Sequence, residues 1–424
     1  MGSFDQKAVI GPPQWDVGAI QQFAGIPIAS STLPSGPPNG LPAVVAGFPD
    51  PYWLRCDGSI ISRLQYPKLS AAFGGVNGVG TFTPTSRSFS TVPNSSALAV
   101  NGSNIVAPGV AGTSGVQYSS NAGVTWATAT TPSYFGVATN GLINAGSSFF
   151  ALGSAANTGA YSPSATGSGT WTASTGIAFS PTTCGTNGAG TIILPTGTIY
   201  NLSTNSGASF ASATCATAVT GAAIVWTGSQ FIMFCASSVT GVGYQTSPTG
   251  LTSTWTAAFS APWGVLPIAS ACSDGNGNVL AIVNGSSIAW ISNTNGTTWR
   301  STLLPSNSLG SCSYTNGRWF VPLENTVASA FYSDGSIAVS SDLQSWIFVP
   351  IFSQPSVAAN TAVPTQVGYS GGNYISISQL ASGTLTTIVE NTSQMYLPIS
   401  RRSSMISNIQ TNSIANYQEW IRAA

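Results

Sequence analysis

The sequence predicts an all-β fold, a seven-bladed β-propeller with a small N-terminal α+β domain, and three observations carry that prediction. Charged residues are only 5% of the 424 positions while hydrophobic ones are 43%, alongside 47 glycines and 26 prolines. Such a mix suits many short strands joined by tight turns and disfavours long solvated helices. An octet of the form Ser-x-Asn/Asp-x-Gly-x-Thr/Ser-aromatic recurs along the chain. A glycine turn followed by an apolar run recurs in phase with it.

The octet is met by SSNAGVTW (119–126) and STNSGASF (203–210), and looser copies close at Trp171, Trp255, Trp299 and Trp346. The closing aromatics Trp126, Trp171, Phe210, Trp255, Trp299 and Trp346 are 45, 39, 45, 44 and 47 residues apart, a single period. The second marker appears at 101–107, 146–152, 188–194, 228–234, 277–283, 317–323 and 372–378. Tyr396 is expected to close the seventh unit in a degenerate octet. A period of about 44 residues holding about four short β runs matches one propeller blade. Two phased markers favour a closed ring over a solenoid or a string of sandwich domains, and place the ring at 88–398.

The octet reads as the turn between the two outer strands of a blade. Asn121, Asn205 and Asp342 stand where a side chain accepts nearby backbone amides, and Gly123, Gly207 and Gly296 where the chain turns left-handed. The following Thr or Ser ties the turn, and the aromatic packs between blades. The repeat region, about three quarters of the chain, resembles the Asp-box (BNR) propellers, which include sialidases, photosystem assembly factors and many carbohydrate-binding proteins.

Residues 1–87 read differently. They hold DVGAIQQFAG (16–25), a Pro/Gly-rich passage (33–42) and YWLRCDGSIISRLQYPKLSAAFG (52–74). From the residues alone, Asp57-Gly58 makes a turn, Ser62 caps a short helix interrupted by Pro67, and Leu64, Leu69, Ala72 and Phe73 share its apolar side. Asp57 and Arg63 read as a structural ion pair. The run Trp53, Leu54, Cys56, Asp57, Gly58, Ser59, Ser62, Arg63, Tyr66, Pro67, Leu69 and Gly74 resembles the core pattern of phage tail collar domains. VGAIQQFAG before it and TFTPTSR (81–87) after it resemble the flanks of that core, although Thr85 and Ser86 stand where the family has Asp-Leu. The terminal NYQEWIRAA is similar to the endings of many phage fibre proteins. The expected division is an attachment and collar-like block at 1–87, a propeller at 88–398 and a C-terminal arm at 399–424, with the propeller inserted between collar-type material from both ends.

Composition excludes several kinds of chemistry. Ten basic and ten acidic residues cancel, with no Lys/Arg run to meet a row of phosphates, so nucleic acid is not an expected partner. No apolar stretch of membrane-spanning length and no leader pattern is seen, so neither membrane insertion nor export is expected. Cys56, Cys184, Cys215, Cys235, Cys272 and Cys312 form no CxxC pair, and histidine is absent, so no metal and no cofactor are expected. The cysteines read as free core thiols made in a reducing cytoplasm; Cys184, Cys272 and Cys312 share a repeat position where a small buried side chain is wanted.

Without histidine, Ser-His-Asp and Cys-His catalysis are impossible. A sialidase holds its substrate carboxylate with three arginines, and the propeller offers Arg300 and Arg318. Other glycosidases need two opposed carboxyls. Asp274 and Asp342 have turn roles, which leaves Glu324 and Asp334, in the long sixth-blade connection, as a candidate pair. Binding without cleavage fits better, through Tyr134, Phe135, Trp263, Glu324 and Asp334 at the end of the ring opposite the octet turns. Phe135 and Trp263 have an equal alternative as inter-blade packing.

The expected protein is therefore not an enzyme. The collar resemblance implies a bacteriophage virion component, a homotrimeric tail fibre or appendage assembled in the host cytoplasm. Its partners would be other tail proteins and a host cell-surface glycan. A purely architectural tail or head-fibre part and a glycan depolymerase are the alternatives.

Overall fold

The computed structural model describes residues 20–23, 53–55, 60–72, 80–88, 97–396 and 418–422, apart from 110–114, 133–138, 154, 182, 220–222, 236–242, 258, 261, 265, 284, 310, 324–335, 345, 351–363 and 379–383. The chain forms two compact units, Met1–Thr81 with Asn391–Ala424, and Phe82–Glu390.

The first unit contains β1 (Ile20–Phe23), β2 (Trp53–Arg55), β3 (Ile60–Ser62) and helix α1 (Pro67–Ala72). Pro67 opens the helix where an interruption was expected, because its fixed φ and missing N–H suit the first helical position. Ser62 does not cap α1; its Oγ accepts the N–H of Leu64 at 3.2 Å in the preceding turn. Leu64 therefore falls outside the helix and is 87% exposed while Leu69 is fully buried, which breaks the expected apolar side. Arg63 is buried, donating from Nη1 to Ser70 Oγ (3.0 Å) and from Nε to the Gln394 carbonyl (3.2 Å). Its expected partner Asp57 lies outside the described residues, as does Phe73.

The second unit opens with β4 (Thr81–Ser88), which joins the last sheet of the ring. Blade I is β5 (Ala99–Asn101), β6 (Asn104–Pro108), β7 (Val116–Ser119) and β8 (Ala127–Ala129). Blade II is β9 (Thr139–Asn144), β10 (Phe149–Gly153), β11 (Gly159–Tyr161) and β12 (Thr172–Ala173). Blade III is β13 (Gly185–Thr186), β14 (Ile192–Pro195), β15 (Gly197–Ser203) and β16 (Ala211–Val219). Blade IV has β17 (Ile224–Trp226), β18 (Phe231–Phe234) and β19 (Tyr244–Ser247), with a single bridge from Tyr244 to Phe259 in the fourth place. Blade V is β20 (Ser270–Ser273), β21 (Val279–Ile282), β22 (Ile288–Ser292) and β23 (Arg300–Leu303). Blade VI is β24 (Ser313–Thr315), β25 (Arg318–Leu323), β26 (Ser336–Ser340) and β27 (Ile347–Pro350). Blade VII is β28 (Pro364–Ser370), β29 (Asn373–Ser378), β30 (Thr384–Asn391) and β4.

The first strands β5, β9, β13, β17, β20, β24 and β28 touch in that order and β28 returns to β5, so they are the inner wall of a closed seven-bladed ring. Each glycine-turn marker opens a second strand. Four of these strands, β10, β14, β18 and β21, are buried along their whole length. Blade faces press on both sides of them, so their sequence reads as a continuous apolar run without alternation.

The ring is closed by a strand from its N-terminal side, which corrects the expected limits of 88 and 398. Thr81–Ser88, read as the flank of the collar-like block, is the outer strand of blade VII. Phe82 takes the place expected of Tyr396. It is 6% exposed and meets Phe320 of blade VI (6.4 Å between centroids) and Tyr374 of blade VII (5.9 Å). Tyr396 instead lies in β31 (Gln394–Tyr396), which pairs with β3 in the first unit. The expected C-terminal arm contributes β32 (Gln418–Arg422), the middle strand of a sheet between β1 and β2.

Candidate functional site

The octet turns repeat one design. In blade I the Ser119 hydroxyl accepts the Gly123 N–H (2.9 Å) and donates to Asn121 Oδ1 (2.9 Å), which also accepts the Thr125 N–H (2.9 Å). Ser203, Asn205, Gly207 and Ser209 repeat it in blade III, and Thr294 replaces the asparagine in blade V. The residue before the glycine is left-handed too, with φ of 56° at Ala122, 58° at Ser206 and 53° at Asn295. Its N–H reaches back to the first turn of the same blade, as Ala122 does to the Ser103 carbonyl (2.9 Å).

Each closing aromatic lies between its own blade and the one before. Trp126 joins the cluster of blades VII and I, Trp171 that of I and II, Phe210 II and III, Trp255 III and IV, Trp299 IV and V, and Trp346 V and VI. The octet glycines lean the same way: a Cβ at Gly207 would lie 2.6 Å from Phe150 Cδ2 in β10, and one at Gly296 would overlap Ile232 Cδ1 in β18. The octets thus hold neighbouring blades in register.

The ionisable groups are distributed unevenly. Between Arg87 and Asp274 the sequence contains no Asp, Glu, Lys, Arg or His, so blades I–IV are uncharged at their side chains. Apart from Arg87, near the end of β4, the described charges of blades V–VII, Asp274, Arg300, Arg318, Asp342 and Glu390, fall at the octet end of the ring, on first turns, octets or the strand ends beside them. A cleft of about 130 Å³ opens there between blades V and VI, lined by Asp274, Asn278, Arg300, Tyr314, Trp319 and Asp342 among others.

These carboxylates have structural engagements. Asp274 Oδ1 accepts the N–H groups of Asn276 (2.8 Å) and Asn278 (3.1 Å), and its Oδ2 accepts Asn278 Nδ2 (2.6 Å). Asp342 Oδ1 accepts Ser340 Oγ (3.1 Å) and the Gln344 N–H (2.8 Å). Glu390 accepts Arg318 Nη2 (2.9 Å), the one ion pair among the described residues, and Tyr374 OH (3.0 Å). Burial, and then the Glu390 charge, push the Tyr374 phenol well above its usual range. The trio stands where a seventh octet would begin, and ties blade VI to the blade that closes the ring. Among the described residues no three His, Cys, Asp or Glu side chains gather as a metal cage.

Cys184, Cys272 and Cys312 lie at or beside first strands, where the repeat placed them, whereas Cys215 is in β16 and Cys235 follows β18. Cys272 and Cys312 are buried, and Cys184 Sγ lies against Gly141 of the next inner strand, where a Cβ would come within 2.6 Å of it. Burial pushes the Cys184 thiol up to about 12 and the Cys235 thiol up to about 11. None of the described cysteines is in a disulfide.

Tyr134, Phe135, Glu324 and Asp334, expected at the end opposite the octet turns, lie outside the described residues. Trp263 is a correction. It is 6% exposed and surrounded by Trp299 (5.2 Å), Phe234 (5.7 Å), Tyr244 (5.9 Å) and Trp290 (5.9 Å), so it packs between blades IV and V and offers no face to a ligand. Sequence reasoning missed Phe179, on the connection from blade II to blade III, which is 53% exposed. Nothing in the repeat marks it, because blade-to-blade connections vary in length and composition.

With the ring and its turns in place, comparison with solved structures shows the fold. A streptogramin B lyase structure is 12% identical with a TM-score of 0.54, covering 73% of this chain and 98% of that one. Virginiamycin B lyase from Staphylococcus aureus is 12% identical with a TM-score of 0.53, covering 73% of this chain and 100% of that one. PorZ, a surface component of the type-IX secretion system of Porphyromonas gingivalis, is 11% identical with a TM-score of 0.50, covering 74% of this chain and 39% of that one. The chain is a seven-bladed β-propeller protein. Identity at this level speaks for the ring alone. No family model and no curated protein matches the chain.

Proposed function

We propose that this chain is a structural component of a tailed bacteriophage virion, a trimeric tail fibre or appendage. Its collar-like unit attaches it to other tail proteins, and its propeller recognises a host cell-surface glycan without cleaving it. The observation that carries this reading is the long collar-type run from Trp53 to Gly74. It lies in a unit to which the chain returns after the propeller, through β31 on β3 and β32 between β1 and β2. The propeller is thereby an insertion within one attachment unit, an arrangement that a ring with adjacent first and last strands accommodates readily.

The engagement of Asp274, Asp342 and Glu390 in turns and in an ion pair supports binding over catalysis. A neutral, hydroxyl- and amide-rich surface also suits glycan recognition, in which apolar ring faces and a few placed polar groups do the work. The test is location and competition. A map of the intact virion should place three copies of this chain on the tail or another surface appendage, and purified protein should block adsorption to host cells. Absence from the particle, or adsorption unaffected by saturating protein, refutes the reading.

A further inference from the structure

Eight described non-glycine residues have positive φ. Four of them, Ala122, Ser206, Asn295 and Leu343, belong to octet turns, and Asn157 and Asn316 are asparagines, which tolerate that region. The other two are adjacent, Phe179 at 66° and Ser180 at 47°. A bulky aromatic in the left-handed region is a backbone outlier, and such residues persist only where their surroundings fix them.

The fixing groups are specific. Asn201, fully buried in β15, accepts the Ala178 N–H at Oδ1 (2.8 Å) and donates from Nδ2 to the Ala178 carbonyl (2.7 Å). Asn157, in the connection from β10 to β11, accepts the Ser180 N–H at Oδ1 (2.9 Å). Ile177 and Pro181 on either side are buried, so the segment is pinned at both ends and lifts Phe179 between them. The 53% exposure of that ring means its own burial contributes little to offset the strain.

Resting on the glycan-recognition reading, we infer that Phe179 is the stacking platform of a binding subsite for an uncharged saccharide, at the end of blades II and III opposite the octet turns. The ring supplies a flat apolar face. The exposed Ser180 hydroxyl and the Asn157 amide beside it supply hydrogen-bonding groups. An apolar protein partner needs a contiguous apolar patch of a few hundred Å², and the exposed neighbours Asn157 and Ser180 are polar. An acidic polysaccharide needs cations to neutralise it, and the sequence from Ser88 to Ser273 has none. The neutral surface also sets how binding responds to salt, because screening has no ion pairs to weaken.

The experiment is native affinity electrophoresis of the full chain through gels containing neutral polysaccharides (dextran, mannan, galactan) or acidic ones (alginate, hyaluronate). The wild type, Phe179→Ala and Phe179→Trp proteins are compared after matched thermal melts. A neutral polymer should retard the wild type equally at about 50 and about 500 mM salt. Phe179→Ala should weaken that retardation about tenfold, and Phe179→Trp should retain it. Retardation by acidic polymers alone, loss with salt, an unchanged Phe179→Ala protein, or no retardation in any gel overturns the inference. A parallel adsorption assay separates the two levels: blocking by wild type that Phe179→Ala leaves intact sinks this subsite alone, whereas no blocking by wild type sinks the receptor reading.

Discussion

Replacing Gly207 with alanine tests how octet turns lock blades together, and the structure sets the size of the effect. Gly207 has φ of 89°, so any Cβ there meets the left-handed penalty of about 1–2 kcal/mol. The new methyl would also lie 2.6 Å from Cδ2 and 3.2 Å from Cγ of Phe150, and 3.3 Å from Ile192 Cδ1. Phe150 is fully buried and packs against Phe210 at 5.3 Å, so an atom at the root of its ring has no room to swing away. Overpacking of this kind costs about 1–3 kcal/mol, for a total of about 2–5 kcal/mol. Gly188, in the same blade, is the control, since its φ is 69° and a Cβ there meets nothing within 4 Å. Its alanine variant should lose only the backbone share, about 1–2 kcal/mol. Gly296→Ala should fall between them, because the obstructing atom is Ile232 Cδ1, the far end of a flexible chain. Urea unfolding followed by tryptophan fluorescence gives the three losses. Equal losses at Gly207 and Gly188, or a larger one at Gly188, would show that the glycines serve turn conformation alone and not blade contact.

Trp263→Ala should destabilise the ring by about 3–5 kcal/mol, read by the same unfolding, and a variant with wild-type stability would contradict the inter-blade position of the ring. Glu390→Ala should cost about 1.5–3 kcal/mol by depriving the partly buried Arg318 guanidinium of its carboxylate; a loss below about 1 kcal/mol would rank the pair with exposed ion pairs. Native protein should resist thiol reagents at pH 8 at Cys184 and Cys235 and react fully once unfolded, since both thiols titrate above their ordinary value of 9.0. The unfolded chain releases those protons first, so their contribution to stability is complete below pH 9 and declines as pH rises from about 9 through about 11 and about 12. Denaturation midpoints that stay flat over that range would refute the burial of these sulfurs.

Much of the ring was legible because a propeller repeats its physics. Trp126, Trp171, Phe210, Trp255, Trp299 and Trp346 announce themselves at one period, since each fills the same wedge between two blades. The apolar run of each second strand is equally plain, because both of its faces are covered. The seventh closing aromatic was not legible. Phe82 lies far from the other strands of its blade in sequence, and a local search finds Tyr396 instead.

The sequence by itself determined seven units, their turns and the scarcity of charge, because those properties are local and recur. Tertiary structure decided which strand closes the ring, that Trp263 is enclosed, and that Phe179 stands out on a pinned left-handed backbone. Closure pairs strands from opposite ends of the ring, and exposure is settled by what every other segment leaves uncovered. Both depend on contacts between distant residues that no single stretch of the chain encodes.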